Sequence, residues 1–173
     1  MKEQNEVMTA HWEHAGITVY TALVTTSTKS TSYVIVSDDI THDKGAVVHY
    51  TQAILQHFET QHGALHKVYF YSDGCTGQFK NKFILSLLAT PEIFNKNKTL
   101  PIGIFFATAH GKGPIDGIGG TVKRAVWRRV LQQKVVAKDA EKFCVVAKET
   151  CPKINVLLLK AEEVAGKRAE LDA

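Results

Sequence analysis

Apolar positions follow two rhythms along this chain: short β-branched runs bounded by turn residues, and longer stretches with an apolar residue every third or fourth position. Residues 17–25 (ITVYTALVT) and 32–37 (SYVIVS) are of the first kind. The Ser/Thr/Lys segment between them predicts a β-hairpin. Residues 44–61 are of the second kind, with Val47, Val48, Ile54, Leu55 and Phe58 on one helical stripe. Asp38, Asp39 and Thr41 just ahead offer turn or capping chemistry. Residues 67–71 (KVYFY) predict a third strand, apolar through its middle as a central strand is. Ser72-Asp73-Gly74 ends it, a helix over about residues 78–88 follows, and Pro91 closes that helix. Residues 102–107 predict a fourth strand, and residues 121–133 a helix carrying Val122, Val126, Val130 and Leu131. Beyond Lys134 come a short Val135-Val136 segment, a helix capped by Asp139, an apolar strand over 154–159 and a polar helix.

The resulting order is strand, strand, helix, strand, helix, strand, helix, then a small α/β tail. A hairpin feeding a βαβα run implies an α/β fold, a mixed sheet with flanking helices. With 173 residues the chain is read as a core over 1–134 and a small C-terminal α/β extension over 135–173. No run approaches a membrane span, and the N-terminal residues lack the apolar core of a signal peptide. Cys75, Cys144 and Cys151 form no CxxC pair, which argues for a reducing compartment. A nuclear or cytoplasmic protein is expected, not a secreted one.

Charge sharpens this picture through its distribution. Lys112, Lys123, Arg124, Arg128, Arg129, Lys134 and Lys138 crowd one stretch whose single carboxylate is Asp116. Such clustering is the footprint of a polyanion partner, although a solvated helix face has the same look. The segment 110–124 also places five glycines, Pro114, His110 and Lys112 between an apolar run and the basic helix. A glycine-rich turn there brings backbone amides, a carboxylate and cations to one end of a sheet, a setting for phosphate or metal-phosphate chemistry.

Asp73 and Asp116 are the candidate catalytic and metal-binding pair. Each follows a predicted strand, and neighbouring strands would bring both within reach of one metal ion. His110, Lys112 and Lys123 would steady phosphate oxygens. Each Asp is also a common turn or capping residue, and two carboxylates are few for a two-metal site. Asp38 and Asp39 are possible supplements, with solvated capping the plainer reading. The glycines fit neither the GxGxxG nor the Walker A spacing. The histidines His11 and His14, or His57, His62 and His66, lack a cysteine pair that would favour zinc. Cys75 has no identified base and reads as a bystander thiol.

Several blocks together resemble a known group. They are Thr9-Ala10-His11-Trp12; Val36-Ser37-Asp38-Asp39 with His42-Asp43-Lys44; Ser72-Asp73-Gly74 with Gln78-Phe79-Lys80-Asn81; and Phe106 to Pro114 through Asp116-Gly117-Ile118-Gly119-Gly120. In sequence and order they resemble transposon-derived animal proteins with an RNase H-like, DDE-type transposase core, over roughly residues 3–159. The resemblance implies an RNase H-like mixed sheet, Mg²⁺ as cofactor and DNA, or RNA, as partner. It implies that Asp73 is the second acid and Asp116 the third. In that family the first strand, with the first acid, precedes the region matching residues 3–12, so the chain is expected to be N-terminally truncated and inactive alone.

Three readings follow. The first is a transposase-derived domain once used for metal-dependent DNA cleavage and strand transfer. The second is a non-enzymatic nucleic-acid-binding module that uses the basic helix 121–134, with Lys123, Arg124, Arg128 and Arg129 on phosphates. The third is a small nucleotide-binding enzyme with a glycine cradle, which the motif spacing supports least.

Overall fold

A computed structural model describes residues 16–41, 43–72, 100–105, 114–132 and 137–172. In chain order the elements are β1 (Thr18–Thr25), β2 (Ser30–Ser37), α1 (Lys44–His62), β3 (Lys67–Ser72), β4 (Leu100–Phe105), α2 (Pro114–Leu131), α3 (Ala140–Thr150), β5 (Ile154–Leu159) and α4 (Ala161–Asp172). The fold is mixed α/β. The helix expected over 78–88 and the Val135-Val136 segment lie outside the described residues. Two compact units divide the chain, Met1–Ile40 with Gly113–Val164, and Thr41–Lys112 with Ala165–Ala173.

In the first unit β1 and β2 form the expected hairpin, in register from Thr18 opposite Ser37 to Thr25 opposite Ser30. Thr26 closes the turn: its amide donates to the Lys29 carbonyl at 2.8 Å, and its hydroxyl accepts the Lys29 amide at 3.1 Å. β5 then pairs parallel with β2, Val156 beside Val34 and Leu158 beside Val36, giving the order β1-β2-β5. The segment expected as a C-terminal extension thus supplies a strand of the hairpin's own sheet.

Alternation explains how that sheet is covered. Val34, Val36 and Val156 share a face with half-buried Val19, Leu23, Ile154 and Leu158, and join Ile118, Val122 and Val126 of α2 and Phe143, Cys144, Val146 and Ala147 of α3 in one core. Each fully buried Val or Phe side chain there contributes about 1.5–3 kcal/mol. Tyr33 and Ile35, of opposite parity, are also fully buried. β2, the central strand of this mixed sheet, is therefore buried on both faces, which its near-continuous apolar run reflects.

The second unit contains α1, β3 and β4. Asp43 caps α1, accepting the Ala46 amide at 2.9 Å, so the capping residue lies closer to the helix than Asp38, Asp39 or Thr41. Val47, Val48, Ile54 and Phe58 are buried as the stripe predicts, and Leu55 is half-buried. The Arg168 guanidinium of α4 donates to Asp43 Oδ2 at 2.7 Å and to the Thr41 carbonyl at 3.1 Å, closing the start of α1. β3 and β4 are parallel, with Tyr69 beside Ile102 and Tyr71 beside Ile104.

β3 departs from the expected central strand. Among the described residues it pairs with β4 alone, and Tyr69 and Tyr71 are 49% and 57% exposed. Its run of apolar letters owes two members to tyrosine, whose ring tolerates a half-wet face. Among the described residues no helix is long and apolar enough to cross a membrane.

Candidate nucleic-acid interface

The basic helix begins earlier than its apolar spacing predicts. α2 starts at Pro114, so Gly117, Gly119 and Gly120 lie inside the helix and not in a turn. Proline suits a first helical position, because its missing N–H would have no intrahelical partner there. Asp116 sits in the first turn, where a carboxylate is favoured by the helix dipole, and is exposed. Three glycines in a helix are unfavourable by up to about 1 kcal/mol each relative to alanine. Burial of Ile118, Val122 and Val126 offsets that cost.

The glycines are not equivalent. A Cβ at Gly119 would lie 3.1 Å from the Thr21 methyl, so this glycine lets the helix approach β1. A Cβ at Gly117 would meet nothing, and at Gly120 it would meet the Arg124 guanidinium at 3.3 Å. Gly117 and Gly120 thus lie on the outward face, Gly120 beneath the arginine.

Once Ile118, Val122 and Val126 turn inward, helical geometry sends Arg124 and Arg128 outward, one turn apart. Lys123 is exposed beside them. Arg129 does not belong to this set. It is half-buried and reaches across to the Glu149 carboxylate of α3 at 3.9 Å. The outward cationic set among the described residues of α2 is therefore Lys123, Arg124 and Arg128. Exposure leaves them hydrated and able to exchange counterions for a polyanion.

Asp73, His110 and Lys112 lie outside the described residues, so the expected Asp73–Asp116 pairing is not part of this geometry. Asp38, a possible supplement, is used for capping: its carboxylate accepts the Ala161 amide at 2.6 Å. Next to it, the Lys160 amide donates to Glu163 at 2.7 Å, while the Lys160 ammonium pairs with Glu141. That hydrogen bond raises the Lys160 pKa. Asp39 is buried, and its amide donates to the Ser37 hydroxyl at 3.1 Å. Among the described residues no three His, Cys, Asp or Glu side chains converge into a metal site, His57, His62 and His66 included. Cys144 and Cys151 are buried free thiols, and burial pushes the Cys144 pKa up despite Lys148 nearby.

Sequence reasoning has no signal for the α1 clasp. Asp43 and Arg168 are far apart in the chain, and neither stands out from its neighbours.

These elements define a mixed α/β domain that displays a cationic helix. A family model for a domain of unknown function (DUF8701) matches residues 1–173, and the chain belongs to that family. No curated protein and no solved structure matches it.

Proposed function

We propose that this chain is a transposase-derived, RNase H-like domain that binds nucleic acid through the outward face of α2. The observation that carries the reading is the division of that helix. Ile118, Val122 and Val126 of its apolar stripe are committed to the core, while Lys123, Arg124 and Arg128 stand in solvent. Val130 is half-buried, and the expected stripe residue Leu131 is exposed. Phosphate contacts of this kind supply affinity without sequence choice.

The order of elements supports the RNase H-like part. A hairpin is followed by a helix and then by a parallel pair, β3 and β4. Among the described residues β1 and β3 each have a ladder neighbour on one side. In an RNase H-like sheet the first strand lies between the hairpin and the next parallel strand. β5 lies on the far side of β2 and does not take that place. The last acid of this reading is Asp116, in the first turn of α2. No converging set of His, Cys, Asp or Glu side chains includes it among the described residues. DNA is the favoured partner and RNA the alternative, in the nucleus or the cytoplasm.

Fluorescence anisotropy with a labelled DNA duplex tests the reading. The double variant Arg124→Ala/Arg128→Ala should weaken binding and flatten the dependence of log K on log salt by about one unit per lost phosphate contact. Asp116→Asn should leave binding intact. Unchanged affinity and salt slope in the arginine variant would overturn the reading. Mg²⁺-dependent cleavage by the chain, lost in Asp73→Asn and Asp116→Asn, would instead assign it a working transposase chemistry.

A further inference from the structure

We infer that the exposed face of β3 is a stacking platform for single-stranded nucleic acid, built from Tyr69, Tyr71 and Lys67. The inference rests on the nucleic-acid reading for its class of ligand, and it concerns a different surface.

β3 alternates sharply. Val68 and Phe70 are half-buried, while Lys67, Tyr69 and Tyr71 are exposed on the other face. Two aromatic rings at alternate positions lie about 6.6 Å apart along a strand. That spacing is about twice the ~3.4 Å rise of a stacked nucleotide strand, so the rings match bases that have been pulled apart. Bases splayed from a single strand stack on aromatic side chains in this way whatever their identity.

Charge points to the same occupant. The Lys67 ammonium lies over the Tyr69 ring, 5.3 Å from its centroid, on a flexible stem that a stacking base would displace toward its phosphate. His66 beside it is exposed, and the sequence from Gly63 to Ser72 contains no Asp or Glu. A backbone phosphate next to a stacked base would meet Lys67, while the Glu59 carboxylate just ahead of that segment is taken up by the Leu65 amide at 3.1 Å.

Area argues against a second copy of the chain. A tyrosine buries about 150–250 Å² at most, so two half-exposed rings leave roughly 200 Å² to cover. A stable protein partner needs about 800 Å² per side. Two bases fit this area and a subunit does not.

The test uses the full chain, a short labelled oligo(dT) strand and a duplex of matched length. Tyr69→Ala and Tyr71→Ala should each weaken oligo(dT) binding on the order of 5- to 150-fold and leave duplex binding unchanged. Tyr69→Phe and Tyr71→Phe should bind as the parent does, because stacking needs the ring and not the hydroxyl. Tyr69→Trp should add an emission that oligo(dT) quenches, which reads contact at the site even if an alanine variant folds poorly. Overturning results are oligo(dT) affinity insensitive to both alanine variants together with no quenching in the Tyr69→Trp variant, or a change in sedimentation with the tyrosine variants that reveals self-association there. Duplex binding that persists and depends on Arg124 and Arg128 in the face of those results would leave the helix reading standing while this one fails. Loss of binding to every nucleic acid would end both.

Discussion

β2 and β3 look alike as text, SYVIVS against KVYFYS, yet the molecule treats them oppositely. β2 pairs on both sides and has fully buried residues of both parities. β3 pairs on one side among the described residues and leaves two tyrosines half in solvent. The difference lies in what the apolar letters are made of. Val and Ile have no polar end and gain only by leaving water, whereas tyrosine keeps a hydroxyl in water while its ring covers a surface. A unit built around β2 is held by its core. The unit that contains β3 also relies on a polar clasp, Asp43 with Arg168.

The widest separation should come from one residue type in both strands. Tyr33→Ala, in the enclosed strand, is expected to cost about 3–5 kcal/mol in urea unfolding, by analogy with other buried aromatics. Tyr71→Ala should cost less than about 1 kcal/mol, because its ring is already half wet. Equal losses would break the comparison and show that the β3 face is covered.

A smaller effect tests the clasp. Burial alone would raise the Asp43 pKa, but the Arg168 guanidinium and the Ala46 and Gly45 amides hold it below the usual carboxylate range. The folded state therefore favours the charged form. Its contribution is complete above the unfolded pKa and is lost as pH falls through the lower, folded value. Asp43→Ala should cost about 0.5–2 kcal/mol at neutral pH, the usual range for a lost helix cap. Asp43→Asn should keep most of the cap and lose the charge part. The gap between Asp43→Asn and the parent should close on acidification. A gap that stays constant down to strongly acid pH would mean that the ion pair does not matter.

The smallest effect distinguishes the two faces of α2. Gly117→Ala, with open space around its Cβ, should raise stability by about 0.5–1 kcal/mol in thermal unfolding. Gly119→Ala should give no such gain, because its Cβ meets Thr21. Equal gains at both positions would show that the approach of α2 to β1 is loose.

Local signals are the legible part of the sequence. The hairpin, the Asp139 cap, the 154–159 strand and the final helix all stand where alternation, capping and spacing put them. The start of α2 is hidden because three glycines weigh against a helix locally. Only tertiary burial of Ile118 tips the balance, and Pro114 is the available clue. The pairing of β2 with β5 is not legible, since nothing in either strand names its partner across the chain. At the candidate site, Lys123, Arg124 and Arg128 are legible from the apolar stripe that fixes the helix orientation. The same spacing sets Arg129 apart, three residues after Val126 and seven after Val122 on the buried side; only its partner, Glu149 of another helix, is not legible.

The parallel pairing of Ser32 with Ile154 bears on how the protein is made. On the ribosome β2 must wait for the intervening residues 38–153 before β5 can join it. During that interval a strand apolar on both faces has one unfilled edge, the kind of surface to which stray strands attach. Closing so long a loop before any reward is collected also slows folding. Solubility during synthesis should therefore depend more on the late strand than on the hairpin that precedes it.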